Sequence, residues 1–232
     1  MSNIIFDHAH KQCPLKSYNA LAKHGLLVDP NKITQHPPKD ICRFVHLRNG
    51  YLEFIEDRSF FGPLKRFLGI TMPGFCLALE DDGDLEAFSK TERLQQFEPY
   101  TYRRPYDWKS GKTGPGWTFL KFKKPIISGV NLWLIHYDKV ESGAKKSQKN
   151  DAFVTEVTFL YKTKADIENF EALTGVVSKD DVVHFDNINF RFKKWDFQKR
   201  TTIQSITVAH VDVTEKINIS DRVYWDLNII PK

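Results

Sequence analysis

The order of predicted elements repeats along this 232-residue chain, and that repetition limits its possible folds more than any other feature. The first stretch, "NIIFDHAHKQ", alternates as a strand, and "LKSYNALAKHG" has helical spacing that ends at Gly25. We predict strands in "LLV", "ICRFVHLRN" and "GYLEFIEDR", the last two joined by Asn49-Gly50, a pair typical of a hairpin turn. The first unit is therefore strand, helix and three strands.

Two further units follow the same order. After a short linker, "SFFGPLKRFLGITMP", a strand in "GFCLALEDD" precedes a helix in "DLEAFSKTERLQQF", whose N-cap is Asp84. Three strands follow in "EPYTYRRPYDWKSGK", "GWTFLKFKK" and "GVNLWLIHYDK". The third unit has a strand in "AFVTEVTFLYKT", a helix ending at Gly175, and strands in "VVHFDNINFRFKK", "RTTIQSITVAHVDV" and "RVYWDLNIIP". The polar segment 139–151 is the clearest linker, so we predict a paired domain over 1–138 and a C-terminal unit over 151–232.

Composition indicates a globular protein of the cell interior. Hydrophobic residues make up 41% of the chain, and the net charge of +5 is mild. The three cysteines are far apart without a CxxC pair, which argues against a disulfide framework or a structural zinc site and favours a reducing compartment. No apolar run approaches the ~18 residues of a membrane span, and the N-terminus lacks a signal-peptide pattern. We predict a cytoplasmic protein with no membrane partner.

Common catalytic and nucleic-acid signatures are missing or weak. The chain has no GxGxxG, Walker-type, HExxH or GxSxG motif. "KFKK" and "RFKKWDFQKR" interleave basic and aromatic residues, which can mark nucleic-acid contact. At strand spacing they are more typical of a half-buried sheet with a basic outer face, so we predict no nucleic-acid partner.

The stretch "YLEFIEDRSFFG" places two carboxylates in an aromatic run. Glu53 alternates in register with Tyr51 and Ile55, so it shares their face of the predicted strand. Strand parity puts Glu56 on the other face, and it likewise puts Asp7 opposite His8. Glu53 is a buried ligand if the strand face that carries Tyr51 is enclosed by the fold, and a solvated charge if that face is open to water.

The segments "FDHAH", "FVHLRNGYLEFIE", "PGFCLALEDDGDLEAF" and "GWTFLKFKKPIISGVNLWLIHYD" resemble the vicinal oxygen chelate superfamily, in its glyoxalase-like branch. They cover about residues 4–138. The resemblance implies an α+β fold of repeated βαβββ units, in which mixed, curled sheets form a cup and a third, C-terminal βαβββ-like unit packs beside it. It also implies metal ligands on the first and fourth strands, pointing into the cup, where the metal chelates adjacent oxygens of a substrate.

Carried onto this chain, the resemblance assigns a metal site and a substrate site. His8 takes the first-strand ligand position and Glu53 and His136 the fourth-strand positions, with Glu53 also a catalytic proton carrier. The strand "GFCLALED" departs from the pattern, because it offers only a cysteine and a glutamate. Two imidazoles and a carboxylate suit a divalent metal such as Zn, Fe, Mn or Ni. Arg103 and Arg104 are the predicted substrate-binding residues, suited to an anion.

The function predicted on this basis is a glyoxalase-like, metal-dependent enzyme of isomerase, lyase or dioxygenase type. Its substrate is a small oxygenated or dicarbonyl metabolite. A metal-free small-molecule-binding protein on the same fold is the alternative, and an interaction or scaffold protein is a third. Each site residue also has an ordinary explanation as a hydrogen-bonded or solvated side chain. Three units leave one without a counterpart, which predicts a homodimer.

Overall fold

The computed structural model describes residues 4–12, 15–23, 25–29, 32–35, 40–56, 73–79, 84–104, 117–137, 149–197, 200–213, 216–219 and 226–232. Most of the first predicted linker and residues 139–148 of the second lie outside these ranges. The described strands form one sheet of eight strands and one of six.

The first sheet consists of two βαβββ units. Their elements are β1 (Ile4–Gln12), α1 (Leu15–Lys23), β2 (Lys32–Gln35), β3 (Asp40–Leu47), β4 (Gly50–Glu56), β5 (Gly74–Leu79), α2 (Leu85–Ser89), α3 (Glu92–Gln95), β6 (Pro99–Arg104), β7 (Trp117–Phe122) and β8 (Asn131–Tyr137). The strand order is β2-β3-β4-β1-β5-β8-β7-β6. In each unit the first strand is parallel to the last, and the two units meet along the antiparallel pair β1–β5. The predicted α+β fold of repeated βαβββ units is confirmed.

The second sheet repeats this arrangement. Its elements are β9 (Ala152–Tyr161), α4 (Ala165–Thr174), β10 (Val182–Phe185), β11 (Ile188–Lys194), β12 (Thr202–His210), β13 (Ile217–Ile219) and β14 (Asp226–Pro231). The order is β10-β11-β9-β12-β14-β13, with β9 parallel to β11, β12 parallel to β14, and β9 antiparallel to β12. Strands β12–β14 thus form a further half of the sheet, without a helix in its described residues. The third unit therefore has its counterpart within the chain. The homodimer stays a prediction, but an unpaired third unit no longer supports it.

Several element boundaries differ from those predicted. The "LLV" segment is not a strand, and the second strand of the unit is instead β2, in the polar loop after it. The helix after Asp84 breaks into α2 and α3, although Asp84 caps it as predicted, accepting hydrogen bonds from two backbone N–H groups. "VVHFDNINFRFKK" forms two strands joined at Asp186 and Asn187, which both have the positive φ of a tight hairpin turn. No helix in the described ranges is long and apolar enough to cross a membrane.

One apolar core lies between the sheets. Phe75 of the first sheet is completely buried, and its ring centroid lies 5.7–6.0 Å from those of Phe159, Phe170 and Phe190. Burying one such side chain contributes about 1.5–3 kcal/mol. We call this side of the first sheet the core face and the opposite side, which carries the alternate residues, the cup face.

Each sheet also holds the other through a hairpin turn. Asp186, in the β10–β11 turn, accepts a hydrogen bond from the backbone N–H of Phe6 through Oδ2 at 2.7 Å. Reciprocally, Asn49 in the β3–β4 turn bonds both the N–H and the carbonyl of Val154, each at 2.9 Å. These contacts fix the first strand of each sheet at the point where its pairing becomes irregular.

Candidate metal centre

Strand β1 carries a β-bulge at Asp7. Phe6 pairs with Leu77 and His8 pairs with Cys76, so Asp7 has no opposite residue on β5. An extra residue shifts the alternation of a strand, so that two consecutive side chains can share one face. Asp7 and His8 both lie on the cup face, and their side chains touch, with Oδ2 2.6 Å from Nδ1. The parity argument that placed Asp7 opposite His8 is therefore wrong.

His8 lies beside Glu53 on the neighbouring strand. Strands β1 and β4 are parallel, with His8 opposite Tyr51 and His10 opposite Glu53. The distance from His8 Nε2 to Glu53 Oε2 is 3.6 Å. His8 is only 4% exposed, and its imidazole stacks on Tyr51 with ring centroids 4.5 Å apart. The structure therefore brings together the first two residues of the predicted ligand set.

Cys76 completes a group of metal-binding side chains. One ligand atom each from Asp7, His8 and Cys76 lies within 4.8 Å of the others. Cys76 is fully buried on β5, the strand whose composition departs from the family pattern. We call Asp7, His8, Glu53 and Cys76 the donor cluster. It contains one imidazole, two carboxylates and one thiol.

Two tyrosines adjoin the donor cluster. The Tyr137 hydroxyl donates a hydrogen bond to Asp7 Oδ2 at 3.0 Å and lies 3.0 Å from the Tyr51 hydroxyl. Sequence reasoning did not name either as a site residue. The signal for Tyr51 was available, because it shares the face of Glu53.

The site has a negative electrostatic potential, and its phenols and thiol are in the neutral form. Burial first, and then Tyr137 and the nearby carboxylates, raise the pKa of Tyr51 well above its usual value. Tyr137 is 36% exposed as a whole, but burial around its hydroxyl, followed by Asp7, raises its pKa as well. Burial, Asp7 and Glu53 raise the pKa of the Cys76 thiol, against an opposite effect of Lys121. Such a site favours a bound cation, since a cation lowers the free-energy cost of ionising each acidic group around it.

His136 does not join the donor cluster. Leu134, on β8, belongs to the core, whereas Ile135 packs with Cys76 on the cup face. Tyr137 also faces the cup, because its hydroxyl reaches Asp7. By alternation His136 lies on the core face. A set of His8, Glu53 and His136 around one ion is therefore not formed.

Of the predicted arginine pair, Arg103 does not face the cup. On the edge strand β6, Tyr102 pairs with Phe119 and approaches Lys121, so it faces the cup. Arg103 is the next residue, exposed, and by alternation lies on the opposite face. Arg104 pairs with Trp117 through its backbone, and its side chain lies outside the described structure.

The second sheet has different residues at the corresponding positions. Its first strand, β9, also has a bulge, at Thr155, and the following residue, Glu156, pairs with Thr207 and lies opposite Asn189. Glu156 thus corresponds to His8, Arg191 to Glu53 and Thr207 to Cys76. Arg191 Nε lies 3.0 Å from Glu156 Oε2. A salt bridge occupies the place of the histidine and the glutamate, so the donor cluster belongs to the first sheet.

Comparison with known proteins identifies the fold. No protein-family model and no curated protein sequence matches the chain. A hypothetical protein from Staphylococcus aureus is similar in structure, with a TM-score of 0.71, 15% identity, and coverage of 99% of this chain and 100% of that one. A 4-hydroxymandelate synthase mutant from Streptomyces coelicolor has a TM-score of 0.58 at 10% identity, covering 91% and 72%.

A halotolerant catechol dioxygenase, BphC, has a TM-score of 0.52 at 8% identity, covering 99% of this chain and 86% of that one. Together with the strand order, these similarities show that the chain has the vicinal oxygen chelate, or glyoxalase-like, fold. At such low identity they establish the fold alone. An activity has to be argued from the donor cluster.

Proposed function

We propose that the protein is a divalent-metal-dependent enzyme that acts on a small oxygenated metabolite at the cup face of its first sheet. The observation that carries the proposal is the donor cluster, in which ligand atoms of Asp7, His8 and Cys76 lie within 4.8 Å of one another and Glu53 lies 3.6 Å from His8. Nitrogen, oxygen and sulfur donors in this combination suit Zn, Fe, Mn or Ni. A bound metal would polarise substrate oxygens as a Lewis acid.

Asp7 would prepare His8 to bind the metal. An ionised carboxylate only accepts hydrogen bonds, so at 2.6 Å the His8 Nδ1 is the donor. The proton on Nδ1 leaves Nε2 with its lone pair, on the side of Glu53. On this assignment His8, Glu53 and Cys76 would bind the metal, and Asp7, although part of the donor cluster, would act as the carboxylate behind the imidazole that holds it in one tautomer and one orientation.

The two tyrosines would handle protons and substrate oxygens. Both phenols stay protonated because burial raises their pKa. The Tyr51 and Tyr137 hydroxyls lie 3.0 Å apart, and Tyr137 donates to Asp7. Because Tyr137 donates its only proton to Asp7, Tyr51 is the donor in the contact between the two hydroxyls. A substrate hydroxyl could therefore donate to the Tyr51 oxygen, and its proton could pass through Tyr51 and Tyr137 to Asp7 as the final acceptor.

Metal analysis of protein purified without chelators tests the proposal. We expect about one equivalent of a transition metal per chain, lost in His8→Ala and strongly reduced in Glu53→Gln and Cys76→Ser. His136→Ala and Glu156→Gln are matched controls, because one residue lies on the core face and the other in the second sheet. Wild-type protein that holds no metal, and gains no thermal stability from added metals, would refute the enzyme proposal.

A metal-free binding protein is the second candidate, favoured by one observation. Asp7 Oδ2 already has two partners, the His8 imidazole and the Tyr137 hydroxyl, so the carboxylate is satisfied by the protein itself. On this alternative the cup face binds an organic molecule without chemistry. A small organic ligand that raises the melting temperature, in protein that shows no response to metals, would select it.

A further inference from the structure

The cup face continues from the donor cluster onto β7 and β8 as a surface of aromatic rings. Trp117, Phe119 and Trp133 are partly exposed and pack around Cys76 and its apolar neighbours. The Phe119 ring stands nearly perpendicular to both tryptophans, with centroids 6.4 Å from Trp117 and 5.9 Å from Trp133. Together with Lys121 we call these three residues the aromatic subsite. Ring faces and edges at right angles pack well against a flat, unsaturated ligand.

Lys121 places a positive charge within this surface. Its Nζ lies 5.1 Å from the ring centroid of Tyr102, 5.3 Å from that of Phe119 and 5.7 Å from that of Trp133. Ring faces at these distances hold an ammonium group by cation–π attraction. An ammonium also has three N–H donors, so ring contacts are compatible with binding a ligand oxygen.

Trp133 offers a second donor beside this charge. Its indole Nε1 is buried and has no hydrogen-bond acceptor among the described residues. Buried donors are normally paired, so an unpaired one marks a place where a ligand atom can accept a hydrogen bond. The indole ring is held by stacking on His10, with centroids 4.7 Å apart.

The aromatic subsite and the donor cluster are neighbours with opposite charge. Cys76 lies opposite Trp133 in the β5–β8 pair, and the His10 ring lies 5.8 Å from that of His8. Lys121 carries a positive charge, whereas the donor cluster contains the two carboxylates Asp7 and Glu53. A ligand that spans both parts is therefore oriented by charge, with its anionic group at Lys121 and away from the carboxylates.

We infer that the aromatic subsite binds an aromatic organic acid, with the carboxylate on Lys121 Nζ and Trp133 Nε1 and the ring against Phe119 and Trp117. This inference rests on the proposed function in that it names a substrate class for the same cup face. It does not require the metal, since none of the four residues belongs to the donor cluster.

Isothermal titration calorimetry with benzoate tests the inference on the full chain, as purified and after dialysis against a chelator. We expect saturable binding in both preparations, at least about tenfold tighter than that of neutral benzamide, because a charge-assisted hydrogen bond is lost in the amide. Lys121→Met should weaken benzoate by about tenfold or more, and Lys121→Arg should restore most of the affinity. Trp133→Phe, which keeps a ring but removes the N–H, should weaken it by about threefold to tenfold.

Lys123→Met is the matched control, because Lys123 is exposed and paired with Glu98, and it should bind benzoate as the wild type does. Circular dichroism of each variant establishes that it is folded. Equal binding by Lys121→Met and wild type, or cyclohexanecarboxylate binding as tightly as benzoate, would overturn the inference. If metal is absent but benzoate binding depends on Lys121, the enzyme proposal fails while the inference stands. If metal binds but benzoate does not, the inference fails while the enzyme proposal stands.

Discussion

Asp7 Oδ2 lies 2.6 Å from His8 Nδ1, although the two residues are consecutive on one strand. In a regular strand their side chains would point to opposite faces of the sheet. The bulge between Phe6 and His8 removes that alternation, so a carboxylate and an imidazole meet on the cup face. This contact sets the tautomer of His8 and turns its Nε2 towards Glu53.

Replacing Asp7 by Asn tests that relationship. The amide keeps the shape of the side chain but loses the charge that holds the Nδ1 proton, so we expect metal affinity to fall about 10–100-fold. Competition with a chromophoric chelator measures the affinity, and nitrogen NMR of His8 reports its tautomer. Glu156→Gln removes a carboxylate from the equivalent region of the second sheet and should leave the affinity unchanged. Unaltered affinity and tautomer in Asp7→Asn would show that Asp7 does not act through His8.

The second sheet supports the bulge through Asp186, which accepts a hydrogen bond from the N–H of Phe6. Asp186→Gly suits the positive φ of 50° at this turn position and removes the acceptor, so we expect unfolding free energy to fall by about 1–3 kcal/mol. Asp186→Asn retains an acceptor oxygen and should recover most of the loss. Urea unfolding measures both. Asn187→Gly, at the adjacent turn position with φ of 58°, is the control, and an equal loss there would attribute the effect to the turn alone.

How far the site could be predicted from the sequence is illustrated by β1 and β8. The motif around His8 and Glu53 was sufficient to place these two residues on the first and fourth strands of one unit, but that the two strands are neighbours is seen only in the structure. The bulge at Asp7 could not be predicted, because it is defined by pairing with β5 and stabilised by a turn about 180 residues away in sequence. On β8 the residues of both faces are apolar, as in "LWLI". Alternation alone could not decide which face carries His136.

The fold was predictable where local chemistry determines it. The N-cap at Asp84 and the stop at Gly175, which has a left-handed conformation, follow from residue type. The hairpin predicted at Asn49-Gly50 forms one residue earlier, with Arg48 and Asn49 in the turn and Gly50 paired with Leu47. The split of "VVHFDNINFRFKK" into the two strands β10 and β11 was not predictable, since the short turn between them uses Asp186 and Asn187 instead of glycine. The aromatic subsite was also missed: Trp117, Phe119 and Lys121 share one face of β7 by alternation, but Trp133 joins them only when β7 pairs with β8.

Gly50 is required where β4 begins beside the bulge. Its φ is +143°, and an added Cβ would lie 2.3 Å from the backbone oxygen of Asp7. Because backbone cannot give way cheaply, Gly50→Ala should lower the unfolding free energy by about 2–4 kcal/mol and weaken metal binding. Gly25→Ala is the control, since Gly25 also has positive φ, at +81°, but would meet nothing within 4 Å. Denaturant unfolding of both variants makes the comparison, and equal losses would exclude the steric explanation.

Tyr51 should make stability depend on alkaline pH. Its pKa is raised well above 10 in the folded protein by burial and by neighbouring anions, whereas in the unfolded chain it is about 10. Above about pH 10 the unfolded state therefore binds fewer protons than the folded state, and unfolding free energy falls with pH by up to about 1.4 kcal/mol per unit. The stabilisation is complete below pH 10. Tyr51→Phe should lessen this decline, measured by urea unfolding between about pH 8 and 10.5. The lost hydrogen bond to Tyr137 gives only a pH-independent offset, so a parallel decline in wild type and variant would contradict the prediction.

Phe75 links the unfolding of the two sheets. It is fully buried on β5 and contacts Phe159 and Phe190 of the second sheet and Phe170 of α4. Phe75→Ala leaves a cavity between the sheets and should cost about 3–5 kcal/mol. Because one core is shared, wild type should unfold in a single transition by fluorescence and circular dichroism alike. Phe197→Ala is the control, since that ring is 91% exposed and its removal should change the unfolding free energy by less than about 0.5 kcal/mol. Two separate wild-type transitions, with Phe75→Ala affecting only one of them, would show that the sheets fold independently and that the second does not stabilise the donor cluster.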